Sequence, residues 1–200
     1  MTLATMTQKD ERAPAQGRMA SSWERIARRI RVPLGFAFAA LYLWRARPSW
    51  FSLVAGGLIA AAGLLVRAVA SGHVDKNEEL AMTGPYAYVR NPLYLGSIVI
   101  AAGFVIASRD VLIAVLIVLM FVIIYVPTIR SEEHYLRNRF AEYDAYTRRV
   151  PRIVPRRLRS SNVTDGFSRV LYMKHREYNA AFGAAAMWAA LVAKMLWFRG

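Results

Sequence analysis

Cysteine is absent from the 200 residues, which excludes disulfides, thiolate nucleophiles and zinc–cysteine sites. Histidine is scarce. His73, His134 and His175 lie far apart and show no metal-ligand spacing, so ordinary polar positions account for them and no metal is expected. Acidic residues are outnumbered, with 13 Asp+Glu against 27 Lys+Arg, for a net charge of +14. A nucleic-acid binder spreads such charge over a soluble fold. Here 56% of the residues are hydrophobic and the basic residues gather between apolar runs. That distribution points to a lipid bilayer as partner, not a nucleic acid, and to an all-α polytopic integral membrane protein in one domain.

Residues 1–22 lack apolar periodicity and read as a disordered tail. No short basic start leads into an apolar run with a small-residue cleavage site, so no removable leader is expected. About five transmembrane helices follow. Val32–Trp44 comes first, behind the basic amphipathic Trp23–Arg31 stretch; at ~1.5 Å per residue it falls short of a ~30 Å hydrocarbon core. Trp50–Val66 is second, continuing to Ala70 with Arg67 near its end. Leu93–Ala107 and Val111–Ile129 form a hairpin across Ser108-Arg109-Asp110, and Asn179–Phe198 is fifth. Arg130–Arg149 has a helical pattern in which Leu136, Phe140, Tyr143 and Tyr146 can pack while Glu132, Glu133, Arg137 and Arg139 stay wet. Pro151 and Pro155 end it, the basic cluster Arg156–Arg159 follows, and Asp165–Tyr178 reads as an interfacial helix with Phe167, Val170, Leu171 and Tyr178 toward lipid. The N-terminal region, the 67–92 connector and the 130–178 segment hold 7, 3 and 12 Lys+Arg, against 2, 1 and 1 in the alternate loops and C-terminus. By the positive-inside rule the first three are cytoplasmic, in the inner membrane if the cell is bacterial.

One stretch departs from generic membrane sequence: Gly84-Pro85-Tyr86-Ala87-Tyr88-Val89-Arg90-Asn91-Pro92-Leu93-Tyr94-Leu95-Gly96. Pro85 and Pro92 bar a helix through the residues before them, so 84–91 should be irregular. Pro92 suits the first turn of the next helix, whose unpaired N–H groups could face a polar ligand. A headgroup-level loop anchored by tyrosines is the plainer alternative.

Arg90-Asn91-Pro92-Leu93-Tyr94-Leu95-Gly96, then Glu132-Glu133, then Phe140-Ala141-Glu142-Tyr143 and Arg149-Val150-Pro151 resemble the ordered motifs of the isoprenylcysteine carboxyl methyltransferase family and the related phospholipid methyltransferases. The resemblance covers roughly residues 60–155. It divides the chain into a tail (1–22), a membrane methyltransferase core (23–155) and a basic interfacial helix with a last span (156–200). It implies S-adenosyl-L-methionine as cofactor, bound in the cytoplasmic loops. Leu80, Tyr86, Arg90, Asn91, Pro92, Tyr94 and Gly96 would shape its pocket, and Glu132 or Glu133 would bind it. Such a carboxylate suits a cationic group or ribose hydroxyls, and tyrosine faces suit adenine or sulfonium. Asn91 stands where many relatives have His; it cannot titrate, which favours positioning over acid–base work.

Arg67, near the end of an apolar span, is costly unless paired and is a functional candidate on that ground. Relatives of this family place an arginine similarly, facing the substrate. Arg67, and Arg130 beside the Glu pair, are therefore expected to face the acceptor. A cationic Arg67 favours an ionised oxygen acceptor, such as the carboxylate of a prenylated group, over an amine. The expected activity is methyl transfer to a lipophilic acceptor. Phospholipid or other lipid methylation, an NADPH-dependent membrane reductase and a non-catalytic scaffold are the alternatives. The sequence leaves the oligomeric state open.

Overall fold

The computed structural model describes residues 22–74, 80–155 and 166–197, with the backbone alone over 22–32. The tail over 1–21, the cluster Arg156–Arg159, Asp165 and Phe198 lie outside the described residues. The chain divides into two compact units at Ala39/Ala40. In the first, residues from Ser22 onward form the early part of helix α1 (Ser22–Arg45), which carries Pro33. All that follows concerns the second unit.

Its elements are the end of α1, then α2 (Trp50–Ser71), a short 3-10 turn at Gly84–Ala87, α3 (Pro92–Ser108), α4 (Val111–Met120), a π-helical segment at Phe121–Tyr125, α5 (Val126–Arg139), α6 (Tyr143–Arg149), α7 (Arg169–Lys174) and α8 (Tyr178–Trp197). No strand occurs among the described residues. The chain is an all-α integral membrane protein. Among the described residues, three helices are long and apolar enough to cross a bilayer: Trp50–Ser71, the continuous run Val111–Arg139, and Tyr178–Trp197. α3 is apolar but has 17 residues, reaching roughly 25 Å at the helical rise. The stretch Val32–Trp44, expected as a span, is part of a 24-residue helix that is not among the three.

α2 and α3 form the most extensive helix pair. They touch at two glycine pairs seven residues apart on each helix, Gly56 with Gly103 and Gly63 with Gly96. A Cβ on Gly63 would lie 2.7 Å from the Gly96 carbonyl oxygen, and one on Gly103 would lie 2.5 Å from that of Gly56. Small residues let the two backbones meet, which is how helices associate where lipid offers no hydrophobic contrast. The hairpin between α3 and α4 turns where the sequence places it: Arg109 ends α3 in the left-handed region (φ 52°), and the Asp110 side chain accepts from the Ile113 N–H to cap α4.

Two expectations about the later chain need correction. Arg130–Arg149 is not one helix: α5 stops at Arg139, Phe140 is extended (φ −123°, ψ 119°), and α6 begins at Tyr143. The break lets Leu136, Phe140 and Leu80 pack on the buried Tyr143, Tyr146 and Val150, forming a small apolar cluster over the loop. The interfacial helix is short, Arg169–Lys174, with Ser168 as its cap. Val170 and Met173 are exposed on it, and Phe167, also exposed, meets the His73 ring at 6.0 Å between centroids.

Candidate functional site

Gly84 adopts φ +54° with the His73 ring against it, and Pro85 starts the 3-10 turn that buries Tyr86. The chain then runs beside the Val-Pro segment. The Arg90 N–H donates to the Pro151 carbonyl at 2.9 Å and the Asn91 N–H to that of Arg152 at 3.1 Å. Tyr146 donates its hydroxyl to the Tyr86 carbonyl at 2.7 Å. The N–H groups of Arg90 and Asn91 are thus spent on the fold. Burial is the main cause raising the Tyr86, Tyr143 and Tyr146 phenols above the ordinary value, so all three stay protonated donors at neutral pH. Asn91 caps α3 by position without a side-chain capping bond; its amide nitrogen donates to the Arg152 carbonyl at 3.4 Å. Pro92 is fully buried as the first residue of α3.

The two acids behave differently. Glu133, expected to be wet, is buried and accepts two hydrogen bonds from Arg152 at 2.9 and 2.5 Å, with Arg90 at 3.4 Å. The Glu133 carboxylate raises the Arg152 pKa further. One carboxylate thus serves two guanidiniums. Arg90 also lies near the Tyr143 hydroxyl, but its buried Nε has no hydrogen-bond partner among the described residues. Glu132 is exposed and lies near the Tyr94 hydroxyl. Tyr94 in turn meets the Tyr125 ring edge-on at 5.3 Å. The loop motif and the Glu pair, 36 to 49 positions apart in sequence, therefore share one end of the α3–α4 hairpin.

Gly96 is accounted for by packing, since a Cβ there would sit 2.5 Å from Arg67 Cγ and 2.8 Å from the Gly63 carbonyl oxygen. Arg67 is fully engaged where it stands. It donates twice to Glu177, at 3.0 and 2.8 Å, and also to Ser97 Oγ at 2.5 Å and the Leu93 carbonyl at 3.3 Å. Glu177 was not anticipated from sequence. It lies 110 residues from its partner, just before α8, and no local pattern marks it. This pairing answers the cost of an arginine near the membrane and removes the lone cation on which the preference for an anionic acceptor rested. A cavity of about 360 Å³ opens beside the pair, walled by Ala61, Leu64, Leu65, Ala68, Tyr172 and Ala181. Arg130 is exposed on α5 and has no ion pair among the described residues. Likewise, no group of three or more His, Asp or Glu side chains is placed to hold a metal among the described residues.

The phospholipid methyltransferase family model matches residues 51–143. Two curated relatives align over 81 residues each, 40% of this chain and 38% of their own lengths. The nickel-cobalt-cadmium resistance protein NccN of Alcaligenes xylosoxydans xylosoxydans is 40% identical there, and the cobalt-zinc-cadmium resistance protein CzcN of Cupriavidus metallidurans is 32% identical. The chain thus spans well under half the length of either. No solved structure matches. The matched segment contains both glycine pairs, the loop motif and the Glu132-Glu133 pair. Over residues 51–143, just under half of its length, the chain is similar to the phospholipid methyltransferase family, in keeping with the membrane methyltransferases that the motifs resemble.

Proposed function

We propose that the protein is an S-adenosyl-L-methionine-dependent methyltransferase acting on a lipophilic acceptor. The observation that carries this is the approach of Tyr94 of the loop motif to the helical run that bears Glu132, where its ring meets Tyr125 at 5.3 Å. It joins two of the family's motif elements into one polar surface at the end of apolar helices. The donor set suits the cofactor. Glu132, exposed near Tyr94, offers a carboxylate to an ammonium or to ribose hydroxyls. The orphaned Arg90 Nε and the surplus guanidinium around Glu133 offer a partly buried cationic patch to a carboxylate. Tyr86, Asn91, Pro92 and Leu80 shape the loop around them. When bound, the cofactor supplies an electrophilic methyl group, and transfer needs alignment with the acceptor more than it needs a base.

This chain's residues then do three things. The Pro151–Arg152 strip holds Arg90 and Asn91 in register. Glu132 orients the donor, and Arg67 with Glu177 forms a neutral polar end to the apolar cavity, where an acceptor head could sit with its tail among Leu64, Leu65 and Tyr172. A neutral pair accommodates a carboxylate or an amine by exchanging partners, so the acceptor class stays broader than an isoprenylcysteine-type carboxylate. Arg130, exposed near Glu132, is assigned a secondary role toward the acceptor head. The two relatives' names concern metal resistance; we assign this chain to such a context only through methylation of a membrane component. Orientation in the inner membrane with the site cytoplasmic follows from the basic-residue asymmetry.

The test is ligand binding by the detergent-solubilised full chain, followed by radiolabelled methyl transfer to total lipid and prenylthioether acceptors. S-adenosylhomocysteine should raise the melting temperature and NADPH should not. Stabilisation by NADPH alone would move the chain to the reductase reading, and stabilisation by neither would leave a scaffold.

A further inference from the structure

The run from Val111 to Arg139 is helical throughout, yet Pro127 sits inside it. Proline lacks the N–H that would bond four residues back, and its ring crowds that carbonyl. The chain absorbs this by widening to a π-helical turn over Phe121–Tyr125, and Thr128 donates its hydroxyl to the Ile124 carbonyl at 2.6 Å. The proline explains the bulge; it does not explain what the bulge presents. Phe121 and Tyr125 lie stacked at 4.0 Å and 12°, which fixes the Tyr125 ring. Tyr94 stands against that ring at 83°, and Glu132 lies near its hydroxyl. Two nearly perpendicular aromatic walls thus meet in a corner with a carboxylate at the rim of one of them. Aromatic faces attract cations within about 6 Å, and more strongly where water is excluded.

Resting on the methyltransferase reading above, we propose that Tyr125, presented by the π-helical turn, forms with Tyr94 a corner that recognises the positive sulfonium of S-adenosylmethionine. Tyr125 is then a positioning residue that distinguishes the charged donor from its neutral product. After transfer the corner's attraction for the ligand falls, which favours release of S-adenosylhomocysteine.

The experiment is calorimetric titration of the solubilised full chain with S-adenosylmethionine and, separately, S-adenosylhomocysteine. The two ligands share ammonium, carboxylate and adenine and differ at sulfur. Tyr125→Leu, and Tyr125→Met as a second ring-free variant, should weaken S-adenosylmethionine about tenfold while shifting S-adenosylhomocysteine by less than about twofold. Tyr125→Phe should hold both within about twofold of wild type. Equal loss of both ligands, or no change in either, overturns the corner while leaving the methyltransferase assignment intact. Wild-type protein that binds neither ligand overturns both.

Discussion

The two ends of the α2–α3 pair are both rich in charge and use it differently. At the end holding Asp110, each polar group named answers a backbone terminus or another such group. Asp110 caps α4 and takes two hydrogen bonds from Arg45, Ser49 and Ser52 form a reciprocal cap on α2, and the Arg47 N–H donates to the Ser108 carbonyl. Lys194 of α8 donates to the carbonyls of Leu43, Trp44 and Ala46 where α1 ends. At the other end, two guanidiniums share Glu133, one Arg90 nitrogen is left over, and Glu132 is exposed. Charge that closes on itself holds helices together. Charge left unbalanced near the surface is where a ligand can add something.

The comparison can be broken most severely at Glu133. Glu133→Ala leaves two arginines facing each other without their shared anion and should lower stability by about 3 kcal/mol, read as an earlier thermal transition in detergent. Glu132→Ala should separate binding from folding. S-adenosylhomocysteine affinity should fall roughly 10- to 100-fold, the range for a lost charge-assisted hydrogen bond, with the melting temperature little changed. An unchanged affinity would remove Glu132 from the site. Alanine at Gly63 drives a methyl into the Gly96 backbone and should cost about 2 kcal/mol. Because Arg67 and the loop hang from that contact, ligand affinity should fall with it, whereas Gly56→Ala should cost similar stability and spare affinity. The smallest effect is expected at the opposite end. The cap from the Ile113 N–H and the Arg45 guanidinium hold the Asp110 carboxyl below its ordinary 3.8. Its contribution is therefore present above about pH 4 and lost as pH falls through the lower folded value. Asp110→Asn keeps a capping side chain and removes the charge, so the acid limb of melting temperature against pH should flatten.

Much of this was legible from local pattern. The prolines of 84–96 mark the loop and the start of α3, and Ser108-Arg109-Asp110 marks the hairpin turn. The tyrosine spacing marks the face that packs under the loop. What stayed hidden depends on partners distant in the chain. Glu133 looks wet on its own helix and is buried because Arg152, past two further turns of chain, folds back over it. Arg67 looks unpaired because Glu177 sits just before the last helix, outside the family segment. The break at Phe140 had no proline or glycine to announce it. Pro127 did signal a disturbance, although a uniformly apolar run conceals which way a helix will yield.

Seven-residue spacing between the glycine contacts has a mechanical consequence. A slip of α3 along α2 would push side chains into both backbone crossings at once, so the pair behaves as a rail pinned at two points. Arg67 lies one turn beyond the inner pin, and the Gly84–Asn91 loop is spliced directly onto α3. Both are carried at a fixed depth. When the surrounding bilayer thins or thickens, tilt of α8 or of the Val111–Arg139 run must absorb the mismatch, leaving the geometry of the pocket undisturbed.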